Sequence, residues 1–206
     1  IMGPRQVGKS TLADAIIPKD ARILEINGDN TDVQTMFINV DEAKMKVLIG
    51  NKNFLFVDEA QKIENVGNML KIVAEKFKDV KIIVTGSSAF KLAEAVNESL
   101  TGRKREFRLY PLSFKEMADE TSTLEESRMI DHRLIYGYCP EVVTSPGDEK
   151  EVLKELIDSY LYKDVMEENH IAKPDKLVKL VQALAFQIGS TVSANELAGL
   201  VGIDAK

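Results

Sequence analysis

The chain has 206 residues, of which 44% are hydrophobic and 29% are charged, so it is a globular and not a disordered protein. There are 27 Lys and Arg residues against 33 Asp and Glu. The net charge of −6 argues against a protein that coats nucleic acid, although it leaves room for a local basic patch. No apolar run reaches the roughly 18 residues of a membrane-spanning helix, so we expect no membrane contact and a cytoplasmic location. Cys139 is the single cysteine, which excludes an internal disulfide.

Residues 3–10 read Gly-Pro-Arg-Gln-Val-Gly-Lys-Ser and fit the phosphate-loop pattern G-x-x-x-x-G-K-[ST] at every fixed position. Glycines let backbone N–H groups turn towards a phosphate, and the helix predicted over 10–16 adds its positive N-terminal end. Lys9 is predicted to reach the β- and γ-phosphates, and Ser10 to hold Mg²⁺. The alternative is a chance match in a glycine-rich turn. The predicted nucleotide-binding residues are Gly3, Pro4, Arg5, Gln6, Val7, Gly8, Lys9, Ser10 and Thr11.

Short apolar segments at 22–27, 53–57 and 80–84 predict strands of a parallel sheet. An amphipathic helical pattern between Ile63 and Phe77 joins the last two into a βαβ unit with a right-handed crossover. Phe107 and Leu109 mark a further short strand. Only Ile1 and Met2 precede the phosphate loop, where a central strand is expected. A chain that truly lacked this strand would expose unpaired edges on the neighbouring strands, so we expect the sequence to be a piece of a longer protein.

The apolar segment ending at Val57 is followed by Asp58 and Glu59, at the strand end where open α/β sheets bind ligands. We predict that Asp58 holds Mg²⁺ and that Glu59 polarises the water that attacks the γ-phosphate. Two solvated carboxylates at a strand end are the alternative. Gln61 is a further candidate for orienting water, or else an exposed residue at the start of a helix.

The next strand ends in Thr-Gly-Ser-Ser at residues 85–88, on the same edge of the sheet as Asp58. We predict that Ser87 senses the γ-phosphate or positions the water, with Ser88 favoured as the cap of a helix beginning near Ala89. A purely capping role for Ser87 is the alternative. A basic cluster over 103–108 contains Arg103, predicted to be an arginine finger acting across a subunit contact; a solvated basic surface is the alternative.

After Pro111 the strand patterns stop and helical patterns follow. Ser113 and Glu116 have the spacing of a capping box, and so do Ser193 and Glu196. Helices are predicted over 124–136, over 152–161 and from Pro174, with a loop over 139–148. The predicted domains are an ATPase core over 1–111, a helical lid over 112–187 and the start of a helix-turn-helix-like segment over 188–206.

Segments 3–12, 54–63, 81–92 and 99–117 resemble the AAA-superfamily ATPases of archaea and bacteria that carry a phosphate-loop domain and a helical C-terminal region. Residues 137–143 are similar to the family's Gly-x-Pro-Glu segment, and 187–203 to the opening of its winged helix-turn-helix. The resemblance implies an α/β phosphate-loop NTPase with an additional-strand parallel sheet, an all-helical lid and the start of a winged-helix-like segment. It also implies that Arg103 is the arginine finger. The same resemblance implies the phosphate, metal and water-activating roles described above for Lys9, Ser10, Asp58, Glu59 and Ser87.

The leading functional prediction is Mg²⁺-dependent ATP binding and hydrolysis that drive a conformational change of the helical region. The alternative is a nucleotide-gated regulator that binds DNA or protein and has little turnover. The expected partners are ATP, duplex DNA through residues 188–206, and further copies of the chain that share the Arg103 finger. Phosphate transfer to an acceptor ranks last, because no acceptor-binding motif is visible.

Overall fold

The computed structural model describes residues 1–87, 100, 102–159 and 174–202. The chain divides into two compact units, Ile1–Thr144 and Ser145–Lys206. The predicted helix near Ala89, its cap Ser88 and the end of the helix predicted to reach residue 161 lie outside the described residues.

The first unit contains a parallel sheet of three strands in the order β1 (Ile23–Asn27), β2 (Phe54–Asp58) and β3 (Lys81–Val84). Each lies within one residue of the strand predicted from its apolar pattern. The register places Asn27 of β1 beside Asp58 of β2, and Val57 beside Val84 of β3. The carboxyl ends of the three strands therefore share one edge, as the sequence predicts.

Residues 1–3 extend this sheet beyond β3. Met2 forms parallel bridges with Gly86 on one side and with Arg108 on the other. The Met2 N–H donates to the Phe107 carbonyl at 2.8 Å, and the Leu109 N–H donates to the Met2 carbonyl at 2.7 Å. Met2 therefore bonds to a neighbour on both sides, at the place where a central strand is expected. β3 thus separates the segment that enters the phosphate loop from β2, which is the additional-strand order.

The two faces of β2 pack into different clusters, which explains its unbroken apolar run. Leu55 and Val57 lie in one core with the helices on that face, and Phe54 and Phe56 pack with Ala13 on the other. The described helices of the first unit are α1 (Lys9–Ile16), α2 (Thr31–Phe37), α3 (Glu42–Ile49), α4 (Val66–Lys76), α5 (Phe114–Glu120), α6 (Thr123–Arg128), α7 (Ile130–Tyr136) and α8 (Pro140–Val143), with a 3₁₀ turn at Ala60–Lys62.

Two predictions in this helical stretch are wrong. The single helix predicted over 124–136 is two helices, because Met129 adopts φ −87° and ψ 0°, which ends α6 and begins α7. The loop predicted over 139–148 contains α8. Pro140 is the first residue of this helix, and the first position of a helix is the one that suits proline. The predicted capping box of α5 is confirmed: Ser113 accepts from the Glu116 N–H, and the Glu116 carboxylate accepts from the Ser113 N–H.

The second unit contains α9 (Glu149–Ile157), α10 (Pro174–Ala185) and α11 (Ala194–Val201). The Lys176 ammonium donates to the carbonyls of Val201 and Gly202 at 2.7 and 3.0 Å, at the C-terminal end of α11 where a cation is favourable. α11 begins where the second capping-box spacing predicts, but the Ser193 side chain makes no capping hydrogen bond, so that part of the prediction is wrong. None of the helices that the structure describes has both the length and the apolar composition to span a membrane.

Candidate functional site

The phosphate-loop pattern forms a tight turn between Met2 and α1. Gln6 and Gly8 both adopt positive φ, at 56° and 92°. Gly8 is the N-cap of α1, where no side chain makes a capping hydrogen bond and the first turn carries no acidic residue. The N–H groups at this helix start therefore face no competing carboxylate of their own turn, which suits an anion from outside.

The motif predicts that Gly3 lets the backbone turn towards a phosphate, but in the structure Gly3 packs closely against a neighbouring strand. A Cβ atom on Gly3 would lie 2.3 Å from the Leu109 carbonyl oxygen, so the neighbouring strand leaves no room for a side chain. Gly3 is thus required by sheet packing, and Gly8 by its backbone conformation.

Lys9 is buried, with 5% of its surface exposed, and its ammonium donates across the loop to the Pro4 carbonyl at 2.9 Å. Its nitrogen lies 3.8 Å from Glu59 Oε1. Burial lowers the pKa of Lys9, while the charges of Glu59 and Asp58 partly oppose that shift. An ammonium offers three donors, of which the Pro4 carbonyl takes one, so the group is suited to bind an anion at this position.

Asp58 ends β2 and accepts hydrogen bonds from two other elements. The Ser10 hydroxyl at the start of α1 donates to Oδ2 at 2.9 Å, and the buried Thr85 hydroxyl, directly after β3, donates to Oδ1. The Glu59 N–H also donates to Oδ1, at 3.1 Å. The predicted metal-binding pair, Ser10 and Asp58, is therefore brought together, and hydroxyl and carboxylate oxygens are ligands that Mg²⁺ accepts.

Glu59 turns away from the strand and meets Ser87 and Gln61. The Gln61 amide donates to Glu59 Oε2 at 2.6 Å and to the Ser87 hydroxyl at 2.9 Å, and that hydroxyl donates to Oε2 at 3.1 Å. Glu59 has a left-handed φ of 46°, a conformation that costs about 1 kcal/mol or more outside glycine. The Ala60 N–H, bonded to the Thr85 carbonyl at 3.0 Å, holds this turn in place.

Gly28 and Thr85 also support this site, although the sequence patterns assign neither of them a role. The Gly28 N–H donates to the Asp58 carbonyl at 2.8 Å, and a Cβ atom on Gly28 would lie 2.3 Å from the Glu59 carbonyl oxygen. Thr85 is fully buried beneath Asp58. The signal that could have found both is their position, since each directly follows a strand beside β2.

Arg103 lies outside this cluster. Its side chain is 60% exposed, and Nη1 lies 3.3 Å from Glu75 Oε1, near the end of α4. Because α4 leads from the carboxyl end of β2 to the amino end of β3, Glu75 and Arg103 lie towards the edge of the sheet opposite to the phosphate loop. The structure therefore does not bring Arg103 to Lys9 and Glu59 of the same chain.

The strand order, the phosphate loop and the acidic end of β2 together define an α/β phosphate-loop NTPase fold. Residues 1–118 match the family model AAA_14, described as an AAA domain, and residues 127–206 match a domain of unknown function, DUF8612. The chain belongs to the AAA_14 family of AAA domains. This membership supports nucleotide binding of the ATPase type.

The chain is also similar to two curated proteins, both named as uncharacterised. One, from Methanocaldococcus jannaschii, is 27% identical in an alignment that covers 98% of this chain and 49% of that protein. The other, from Haemophilus influenzae, is 28% identical over 71% of this chain and 38% of that protein. The chain thus spans about half the length, or less, of these relatives.

Proposed function

We propose that the chain binds Mg-ATP through residues 3–11 and hydrolyses it to ADP and phosphate. The observation that carries this proposal is the convergence of five side chains from three parts of the chain, joined by the Ser10–Asp58 and Ser87–Glu59 hydrogen bonds and by the Lys9–Glu59 ion pair. They are Lys9 and Ser10 at the start of α1, Asp58 and Glu59 at the end of β2, and Ser87 after β3.

The residues fit the ligand by their chemistry. The turn at Gly8 and the start of α1 present backbone N–H groups to phosphate oxygens, and Lys9 adds a compact positive charge. Ser10 Oγ and Asp58 Oδ2, which are 2.9 Å apart, are the two oxygen ligands that we assign to the metal. When bound, Mg²⁺ neutralises negative charge on the phosphate oxygens.

We assign Glu59 as the general base. Ser87 and Gln61 both donate to its Oε2, while Oε1 is the oxygen nearer to Lys9 and hence to the expected phosphate. Glu59 accepts the proton of a water whose oxygen bonds to the γ-phosphorus, as the bond to the bridging oxygen breaks and ADP leaves. Ser87 is assigned to hold Glu59 and to position that water.

Arg103 is proposed to act on the site of a neighbouring copy of the chain. Its place towards the opposite edge of the sheet prevents it from reaching its own phosphate loop, and its exposure allows contact with another subunit. Hydrolysis is proposed to change the conformation of the helical region over 112–187. The supporting observation is that residue 139 of this region touches the phosphate loop at Gln6.

The test is phosphate release from Mg-ATP by the full-length protein, beside Glu59→Gln and Lys9→Ala. Because general bases contribute roughly 10²–10⁴-fold, Glu59→Gln should lower turnover by at least about a hundredfold. It should keep ATP affinity within about threefold, since the amide still accepts from Ser87. Lys9→Ala should lose binding, which calorimetry measures directly.

Turnover that survives Glu59→Gln would show that another group activates the water. Tight ATP binding without release by the unaltered protein would favour the alternative, a nucleotide-gated regulator. Adding duplex DNA to the same assay tests the partner predicted for residues 188–206, and gel filtration of Arg103→Ala with bound nucleotide tests the shared finger.

A further inference from the structure

The Cys139 side chain of the helical region contacts the phosphate loop. The Cys139 thiol donates to the Gln6 carbonyl, with Sγ and oxygen 3.7 Å apart. Gln6 is the residue at the tip of the loop that adopts positive φ, at 56°. The contact therefore falls on the part of the loop whose backbone conformation is least favourable for a residue other than glycine.

Cys139 is held in this position by its neighbour Tyr138. The Tyr138 carbonyl accepts from the Leu112 N–H at 2.9 Å, and its hydroxyl donates to Glu126 Oε1, also at 2.9 Å. The Arg133 guanidinium donates to the same oxygen at 3.0 Å and lies over the Tyr138 ring, 5.5 Å from its centre. These contacts fix the tyrosine at its backbone, ring and hydroxyl.

Glu126 is the buried centre of this arrangement, with 2% of its surface exposed. Burial raises the pKa of Glu126, but the hydrogen bonds from Arg133 and Tyr138 outweigh it and hold the pKa below its usual range. A buried carboxylate that accepts from two donors resists rearrangement, because losing either bond weakens the compensation of its charge in the interior. On the other side of Cys139, Pro140 begins α8 and Val142 is buried.

Because the peptide between Gln6 and Val7 is planar and trans, the contact of Cys139 with the Gln6 carbonyl also orients the Val7 N–H. The carbonyl of Gln6 and the N–H of Val7 belong to one peptide unit and point in opposite directions. A donor that holds the Gln6 carbonyl on the side of Cys139 therefore turns the Val7 N–H to the other side. In a phosphate loop, binding depends on such N–H groups converging on the anion.

We propose that the turn formed by Tyr138 and Cys139 positions the phosphate loop for nucleotide, with Cys139 as a positioning residue that acts through the Gln6 peptide. This inference rests on the nucleotide binding proposed above and names a determinant of affinity outside the loop. Cys139 touches neither the phosphates nor the water in this account. Cys139 holds the loop in its binding conformation before nucleotide arrives. The loop therefore loses less conformational entropy on binding, and the affinity is higher.

The first test measures Mg-ADP dissociation constants of the full chain by calorimetry. Cys139→Ala and Tyr138→Phe should each weaken binding by about threefold to tenfold, the range set by the loss of one modest hydrogen bond. Thr121→Val is the matched control, because it removes a side-chain donor to a backbone carbonyl, that of Met117, elsewhere in the helical region. It should bind Mg-ADP as the unaltered chain does.

The second test uses the single thiol and compares the unaltered chain with and without nucleotide. Burial raises the pKa of Cys139, so iodoacetamide is applied at mildly alkaline pH. Bound Mg-ADP should slow alkylation at least about threefold, because it holds Gln6 against the thiol, and Lys9→Ala should abolish that protection. Alkylation at an unchanged rate in a chain that binds Mg-ADP overturns the inference. A chain that binds no nucleotide overturns the proposed function and this inference with it.

Discussion

Asp58 shows how much of a metal ligand's geometry depends on residues that a motif does not name. Its two carboxylate oxygens accept from Ser10, from Thr85 and from the next backbone N–H. Thr85 is fully buried, so its hydroxyl has no access to water as a substitute partner. Orientation of Asp58 therefore depends on a side chain from the neighbouring strand.

We predict that Thr85→Val raises the Mg²⁺ concentration for half-maximal ATP hydrolysis by about fivefold to tenfold. Valine keeps the shape of the side chain but removes the donor to Asp58 Oδ1, which costs roughly 1 kcal/mol of orientation. Thr85→Ser is the matched variant, since it keeps the hydroxyl and should stay within about twofold. An unchanged Mg²⁺ dependence for Thr85→Val would show that Thr85 only fills the core.

The residues with a chemical signature were predictable, and those that support them were not. Ser10, Asp58 and Glu59 follow from motif spacing, and the structure brings them within one cluster. Thr85 and Gly28 belong to residue types common in any turn, and only the sheet register shows that they face the end of β2. The sequence leaves two interpretations of Gln61, a residue that orients water or an exposed residue at the start of a helix. In the structure its amide donates to Glu59 and Ser87.

At the scale of elements, the end of β1 packs directly on the acidic turn after β2. We predict that Gly28→Ala lowers the free energy of unfolding by about 2–3 kcal/mol, because its Cβ atom would overlap the Glu59 carbonyl and force the two strand ends apart. Turnover should fall as well, since the same movement displaces Glu59. Chemical denaturation and phosphate release measure the two effects.

Gly199 provides the matched control for that prediction. It lies inside α11, and a Cβ atom there meets nothing within 4 Å among the described residues. Gly199→Ala should therefore be neutral or stabilising by about 0.5–1 kcal/mol, as expected from helix propensity. Equal destabilisation by both substitutions would mean that the clash at Gly28 is not the cause.

Secondary structure was predictable where one local signal dominates. The continuous apolar runs of β2 and β3 and the capping box of α5 were all found from sequence. The break at Met129 and the helix at Pro140 were not. At the break tertiary contacts decide, since Glu126 and Arg133 on either side of it bond to each other, and Tyr138 bonds to Glu126.

At the scale of the whole molecule, the stabilisation produced by bound nucleotide can be measured separately in the two compact units. A ligand present at about a hundred times its dissociation constant adds roughly 2.7 kcal/mol to the stability of whatever unfolds together with the site. All the residues that we assign to nucleotide binding lie in Ile1–Thr144. Protection of the phosphate loop and the end of β2 reports binding, whereas a response in Ser145–Lys206 requires coupling between the units.

We predict that amide hydrogen exchange in 112–187 differs between Glu59→Gln with Mg-ATP and the unaltered chain with Mg-ADP. Both ligands should protect the phosphate loop and the end of β2. A further difference of about threefold or more in the helical region is required if the γ-phosphate controls its conformation, because a ligand shifts an equilibrium only by its differential affinity for the two states. Lys9→Ala, which should not bind, sets the baseline. Identical exchange over 112–187 with both nucleotides would contradict the proposal that hydrolysis changes the conformation of the helical region.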